Sequence, residues 1–171
     1  MGWASSGIRN AHGIVTHVVD DRFLISLYGV TAPLMLGMQS VDGVFFAVSR
    51  DAAEAIRFDE DTFDGWHGYD ADFTFRCHLT GLRVAVASDI PLVHHSSGSA
   101  DAAWLEYDAR FRAKHGLPVQ GPYGRWLDVT MSVKTTEDVR GAYELQPLLE
   151  LTKTIRARVE NEQVGAMALV Q

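Results

Sequence analysis

A short glycine-rich segment carries the residue types best suited to chemistry. In residues 65–73 (GWHGYDADF), glycines and a tryptophan immediately precede Asp70 and Asp72. Glycines let the backbone approach a ligand closely, and an indole can stack on the apolar face of a sugar ring. A helix that begins here would stabilise an ionised carboxylate and keep it available as a general base. Two carboxylates that only cap a helix are the simpler interpretation of the same pattern.

Two adjacent histidines follow later in the chain. In residues 89–98 (DIPLVHHSSG), a short apolar run leads to His94 and His95 and then to a small polar loop. Imidazoles at a strand end are credible ligands for manganese or zinc when carboxylate or phosphate oxygens complete the shell. Because adjacent strand residues point to opposite faces, we expect only one of the two to reach a site. A purely structural or exposed pair is the alternative.

Apolar periodicity predicts the helices that position these residues. Tyr69, Phe73 and Cys77 recur every four residues and favour a helix that ends at Gly81 and carries both carboxylates in its first turn. Asp51 suits the N-cap of a short preceding helix. A further helix is indicated by an aromatic stripe and is ended by Pro118; the stripe is Trp104, Tyr107, Phe111 and His115.

Strands are predicted from short apolar runs. They fall at residues 14–19, 23–28, 41–49, 82–87 and 90–94. Asp20 and Asp21 make the turn between the first two, and Asp42-Gly43 indicates a turn or bulge near the start of the third. Residues 29–40, with Pro33 and two glycines, are predicted to be a loop.

Other charged residues are predicted to have structural roles. Asp59 and Glu60 are expected to fix their loop by accepting from backbone amides, and Arg76 to form a local salt bridge. Lys114 and His115 would satisfy a helix C-terminus without any ligand.

Composition narrows the class of protein. With 171 residues, 47% hydrophobic and 22% charged, the chain has the size and composition of one globular domain. A net charge of -7 leaves no basic face for a phosphate backbone, so nucleic acid is not an expected partner. The single cysteine, Cys77, fits a reducing compartment. Without an apolar run long enough for a membrane span or a secretory signal, a cytoplasmic location is expected.

Four ordered motifs resemble a known series. They are VDGVFFAVSR at residues 41–50, RFDE at 57–60, GWHGYDAD at 65–72 and VHHS at 93–96. Together they resemble the second half of inverting glycosyltransferases of the GT-A fold, similar to glycosyltransferase family two. The galactosyltransferase version of the tryptophan motif reads Gly-Trp-Gly-Gly-Glu-Asp-Asp-Asp and aligns with residues 65–72 without a gap.

The resemblance implies an α/β fold with a partial GT-A mixed sheet flanked by helices. It implies that the N-terminal nucleotide-binding half is largely absent, because no such half precedes residue 41. We therefore predict a partial glycosyltransferase domain at residues 1–127, with its motif core at 41–98. The more polar remainder, 128–171, is predicted to be a C-terminal helical extension with a final helix at 145–159.

The resemblance also implies roles for individual residues. Asp70 would be the base that takes the proton from the acceptor hydroxyl, and His95, with His94 as runner-up, would bind a Mn²⁺ or Mg²⁺ ion. Tyr69 stands where the family has a glutamate, which puts in doubt the acceptor hydrogen bond of that glutamate. The acceptor pocket would be formed by Trp66, His67, Gly68 and Asp72.

The implied function is inverting transfer of a sugar from a nucleotide-diphosphate sugar, such as a UDP-sugar, to a glycan or other hydroxyl acceptor. One alternative is a non-catalytic truncated module that acts in binding or assembly. A metal-dependent hydrolase that uses the two histidines and the two aspartates is the last alternative, since it gives the tryptophan no role. An exposed sheet edge would favour a homodimer.

Overall fold

A computed structural model describes residues 2–5, 9–29, 32–95, 101–118 and 128–144. Within them, five strands precede the first helix, and strands and helices are interspersed after it. Within these residues the strands are β1 (Gly2–Ser5), β2 (Arg9–Val19), β3 (Arg22–Tyr28), β4 (Leu34–Met38), β5 (Ser40–Val41), β6 (Val84–Ala87), β7 (Val93–His94) and β8 (Asp128–Val133). The helices are α1 (Arg50–Ile56), α2 (Tyr69–Leu79), α3 (Ala102–His115) and α4 (Thr136–Glu144). The fold is mixed α/β, as predicted.

A mixed sheet forms the larger layer. Its order is β5-β1-β2-β3-β8, and β7 pairs in parallel with β2 while the other pairs are antiparallel. The predicted hairpin between β2 and β3 is confirmed, with its turn at Asp20 and Asp21. Strand β1 pairs with the first residues of β2, whereas β7 pairs further along, at Thr16 and His17. This pairing brings His94 beside β2.

A second, two-stranded sheet corrects the prediction of a loop at residues 29–40. Strand β4 lies within that segment and pairs antiparallel with β6. The register shifts between Leu36 and Met38, and Gly37, between them, has a φ of 78°. A glycine at a bulge is compatible with a strand. Pro33 lies just before β4 and Gly37 lies at the bulge within it, so neither prevents the pairing.

The buried strand predicted at residues 41–49 is wrong. Only Ser40 and Val41 form a strand, β5, and the chain then turns at Gly43 and continues without regular structure to α1. Phe45 and Val48 are exposed. The backbone N–H of Gly43 donates to a side chain of α2 instead of a neighbouring strand, so the ladder does not continue through this residue.

The three helices predicted within the described residues are confirmed, with shifts at their ends. Helix α1 is capped by Ser49, whose hydroxyl accepts from the Ala52 N–H at 3.3 Å, and not by Asp51. Helix α3 ends at Gly116, in the left-handed conformation, ahead of Pro118. Among the described helices, none has the length and apolar composition needed to cross a bilayer.

Two apolar clusters hold the layers together. One joins α2 to both sheets and consists of Met38, Val41, Phe73, Cys77, Val84 and Val86. The other packs α4 against β3 and consists of Ile25, Leu27, Val139, Ala142 and Tyr143. Helix α2, which carries the predicted base, is therefore anchored along its length by burial of its apolar face.

The first part of the predicted C-terminal extension contributes to the main sheet. Strand β8 pairs with β3 over six residues, and α4 packs against the same strand. The helix predicted at residues 145–159 lies outside the described residues, and the boundary at 127 stays a prediction.

Candidate active site

A cleft of about 1280 Å³ opens beside the N-terminus of α2. Among the residues predicted for the site, those that line it are Trp66, His67, Gly68, Asp70 and His94. His17 of β2 and Asp42, in the turn after β5, also line the cleft. The cleft thus joins the glycine-rich segment to one of the two predicted histidines.

Asp70 is held in place by backbone donors. The Gly43 N–H donates to its Oδ2 at 2.5 Å, and the Ala71 N–H donates to its Oδ1 at 2.8 Å. Burial raises the pKa of Asp70 above its ordinary value, and the nearby carboxylate of Asp42 raises it further, while the two N–H donors act in the opposite direction. A carboxylate with a raised pKa is a stronger base than a free aspartate.

Two glycines fix the approach to this carboxylate. At Gly43, an added Cβ would lie 2.9 Å from both the Cβ and Oδ2 of Asp70. At Gly68, the N-cap of α2, φ is 80° and an added Cβ would lie 2.9 Å from the ring of Phe63. Positive φ favours glycine, so the start of α2 depends on the residue type at this position. The close approach of the Gly43 backbone therefore places its N–H donor against the carboxylate of Asp70.

The sequence predicts a turn or bulge at Asp42-Gly43, and the structure adds that these residues contribute to the site. Asp42 is half-buried, and its Oδ1 accepts from the Val44 N–H at 3.3 Å. An Asp-Gly pair after an apolar run predicts a turn, and that signal was visible, but its contact with Asp70 is not local in sequence. Only the tertiary fold reveals that this turn supports the candidate base.

Aromatic residues stand at the opening of the cleft. The side chain of Trp66 is 85% exposed, and that of Phe45 is also exposed. Tyr69, at the position of the expected glutamate, is half-buried, and burial raises its pKa, with smaller contributions from Asp70 and Asp42. Two exposed aromatic faces beside a carboxylate provide a surface on which a sugar ring can stack.

His67 lies between this opening and α3. Its Nε2 is 4.0 Å from Oδ1 of Asp101, the N-cap of α3, and its ring centre is 6.0 Å from that of Tyr107. Tyr107 in turn donates from its hydroxyl to Asp64 at 2.8 Å. His67 is therefore placed by neighbours on α3 while it lines the cleft.

The acceptor-binding role predicted for Asp72 does not fit its position. Its side chain is fully buried and lies outside the cleft lining. Oδ2 accepts from Arg76 Nε at 2.7 Å, and Oδ1 lies 2.7 Å from Lys114 Nζ and 2.8 Å from His115 Nε2. The reason is helical geometry, because Asp70 and Asp72 are about 200° apart around α2 and face different neighbours.

Asp72 is instead the centre of an ion-pair cluster that joins α1, α2 and α3. Arg76 also donates to the carbonyl oxygens of Ile56 and Arg57, both at 2.7 Å, at the end of α1. Lys114 also donates to Asp59 at 2.6 Å, and this hydrogen bond lowers the pKa of Asp59. We call Asp59, Asp72, Arg76, Lys114 and His115 the Asp72 cluster. It fixes the loop that leads to the cleft.

The cluster confirms two structural predictions, for Asp59 and Arg76, and changes another, while the role of Glu60 stays a prediction. Asp59 accepts from the Thr62 N–H at 3.0 Å, and Arg76 forms the expected local salt bridge. Lys114 and His115 were predicted only to satisfy the end of their helix. Their contact with Asp72 crosses about 40 residues of sequence, so no local pattern could predict it.

His94, the last residue of β7, and His95, the residue after it, lie on different sides, as strand alternation predicts. His94 is half-buried, lines the cleft, and has its ring centre 5.4 Å from that of His17. His95 is exposed and lies outside the cleft lining. The resemblance favoured His95 as the ligand, but His94 is the one that reaches the cleft. In the described part of the chain, no group of three or more His, Cys, Asp and Glu side chains is arranged to hold a metal ion.

Fold and site together define a mixed α/β domain. Its cleft, at a helix N-terminus, is lined by carboxylates and aromatic side chains and suits a polar ligand whose rings can stack on aromatic side chains. A family model described as a glycosyltransferase-like family matches residues 12–115, which include every residue of the cleft named above. The chain belongs to this glycosyltransferase-like family. No curated protein and no solved structure matches it.

Proposed function

We propose that this domain transfers a sugar from a nucleotide-diphosphate sugar, a UDP-sugar, to a hydroxyl of a glycan or other acceptor with inversion at the anomeric carbon. Membership of the family supports a glycosyltransferase domain with a sugar donor and an acceptor. The observation that carries the finer proposal is the half-buried carboxylate of Asp70, which accepts from the Gly43 N–H and lines the same cleft as the exposed Trp66.

Asp70 would act as the general base. As the acceptor oxygen forms its bond to the anomeric carbon, its proton passes to Asp70 and the bond from that carbon to the diphosphate breaks. The nucleoside diphosphate then leaves with the bonding electrons. The raised pKa of Asp70 favours this step, since a base whose pKa lies closer to neutrality accepts a proton more readily.

The acceptor would be positioned by the rim of the cleft. Trp66 offers an indole face for stacking on a sugar ring, and His67 and Tyr69 offer polar atoms for its hydroxyls. Gly68 leaves the backbone accessible at the same point. Proximity to Asp70 would then orient one hydroxyl towards the base.

A divalent cation, Mn²⁺ or Mg²⁺, would neutralise the charge that develops on the departing diphosphate. The residues present fit such an ion in part. Nδ1 of His94 is buried and has no hydrogen-bond partner in the described part of the chain, which suits a nitrogen that ligates a cation. His94 would hold the ion from the wall of the cleft, in preference to the exposed His95.

The direct test is Asp70→Asn, assayed for transfer and for slow donor hydrolysis across UDP-sugars. We expect loss of transfer with retained folding, whereas Asp61→Asn, an exposed loop carboxylate, should leave the rate unchanged. Sugar binding without turnover in both parent and mutant would favour a non-catalytic module. Activity on a simple phosphoester without any nucleotide sugar would favour a hydrolase, although the burial of Asp72 removes one of the ligands that this alternative needs.

We also propose a cytoplasmic location. Its support is the single cysteine, Cys77, which is buried as a free thiol on α2 and packs in the core. Fractionation of cells that express the tagged chain tests this proposal.

A further inference from the structure

Two imidazoles from neighbouring strands face the cleft. His17 of β2 is the register partner of His94 of β7 in their parallel pairing, so the two side chains leave the sheet on the same face. Both line the cleft, and their ring centres are 5.4 Å apart with an angle of 57° between the rings. The pair arises from long-range strand pairing, and no sequence motif marks His17.

The separation of the rings matches a shared metal ion. Two imidazole nitrogens that each lie about 2.0–2.1 Å from one ion, at a tetrahedral angle, place their ring centres roughly 5 Å apart. Nδ1 of His94 is the buried nitrogen that has no hydrogen-bond partner among the described residues. A buried ring nitrogen in this state carries a desolvation cost that coordination would offset.

We propose that His17 and His94 together hold one divalent transition-metal ion on the wall of the cleft. The proposal deepens the cation of the proposed function by naming a second ligand and by selecting the class of ion. Two neutral nitrogen ligands suit Mn²⁺, Co²⁺ or Zn²⁺, whereas Mg²⁺ prefers oxygen ligands. The described residues supply no third side-chain ligand, so oxygens of a bound diphosphate or of water would complete the shell.

The test uses Co²⁺ as the probe, because it takes nitrogen ligands and its visible absorption reports on coordination. Co²⁺ is titrated into the purified full chain, into His17→Ala and into His94→Ala. We expect binding by the parent and affinities more than about tenfold weaker in each variant. His95→Ala is the matched control and should bind like the parent, because His95 is exposed outside the cleft. Excess Mg²⁺ should not displace Co²⁺.

A second measurement does not depend on the folding of variants. Zn²⁺ added to the ¹⁵N-labelled parent should shift the imidazole nitrogen signals of His17 and His94 and leave those of His95 in place. Parent-like Co²⁺ affinity in His17→Ala, or shifts confined to other histidines, would overturn the proposal. If Co²⁺ binding needs both histidines but no sugar is transferred, the metal site stands and the proposed function fails. If transfer depends on a cation but is unaffected by His17→Ala, the proposed function stands and the metal site at His17 and His94 fails.

Discussion

The backbone N–H of Gly43 lies 2.5 Å from Oδ2 of Asp70, and no side chain larger than hydrogen fits at that glycine without displacing the carboxylate. The turn after β5 thus supports the first turn of α2 across 27 residues of sequence. Both the position and the proton affinity of the candidate base depend on this turn, since Asp42 also raises the pKa of Asp70.

Gly43→Ala should lower the transfer rate by about 10²-fold, because a carboxylate displaced by a fraction of an ångström loses its alignment with the acceptor hydroxyl. Steady-state kinetics with a UDP-sugar would show the loss mainly in kcat. Gly141→Ala is the control, since an added Cβ there meets no atom within 4 Å and alanine favours the helix. A parent-like kcat in Gly43→Ala would show that the contact does not position the base.

Asp42→Asn should shift the acidic limb of the pH–rate profile to lower pH. The substitution removes a charge that raises the pKa of Asp70, so the base stays deprotonated, and therefore active, at lower pH than in the parent. The profile of kcat/KM measures this shift. Asp51→Asn, an exposed residue of α1, should leave the profile in place. A shift of the limb to higher pH would contradict the assignment of Asp70 as base.

Asp70→Asn should remove the contribution of Asp70 to the pH dependence of the melting temperature. A carboxyl whose pKa is raised in the folded state favours folding when protonated, and this stabilisation is lost as the pH rises through that pKa. The neutral amide does not titrate, so this loss is absent from the mutant, and its single oxygen accepts from only one of the Gly43 and Ala71 N–H donors. We therefore expect the melting temperature of the mutant, relative to that of the parent, to fall as the pH is lowered from neutral. Calorimetry at several pH values measures this difference, and a difference that does not change with pH would contradict the raised pKa of Asp70.

Asp72→Asn should lower the free energy of unfolding. It leaves Arg76 and Lys114 without their buried partner, and loss of one member of a buried ion pair costs about 3–5 kcal/mol. Urea unfolding measures the change, with Asp61→Asn as an exposed control. Equal free energies of unfolding in Asp72→Asn and the parent would remove the Asp72 cluster as a source of stability.

Trp66→Ala should raise KM for the acceptor while the free energy of unfolding stays within about 0.5 kcal/mol of the parent. The indole is 85% exposed, so it contributes little to packing. Trp66→Phe should restore part of the affinity, because a ring face remains for stacking. An unchanged acceptor KM in Trp66→Ala would exclude stacking at this position.

Local patterns predicted the elements that carry the site, but not the contacts between them. The helix with Asp70 and the helix with His115 follow from apolar spacing, and the hairpin at Asp20 follows from its turn residues. The apolar run at 41–49 wrongly predicted a buried strand, because apolar residues such as Phe45 line the cleft instead of packing in a core.

Strand alternation predicted that only one of His94 and His95 reaches the site, and the structure identifies it as His94. The choice could not be made from the sequence, because it depends on which face of β7, as it pairs with β2, lies towards the cleft. The burial of Asp72 was hidden for a similar reason, since two of its partners come from α3, beyond the motif itself.

The Asp72 cluster sets the shortest segment that can fold around this cleft. Two of the three basic side chains that contact the buried carboxylate, Lys114 and His115, lie at the end of α3. During synthesis, α2 therefore cannot complete its native contacts until His115 has left the ribosome. A fragment cut before Lys114 would keep every cleft residue named here and still lack two of the three basic side chains that contact the buried carboxylate of Asp72.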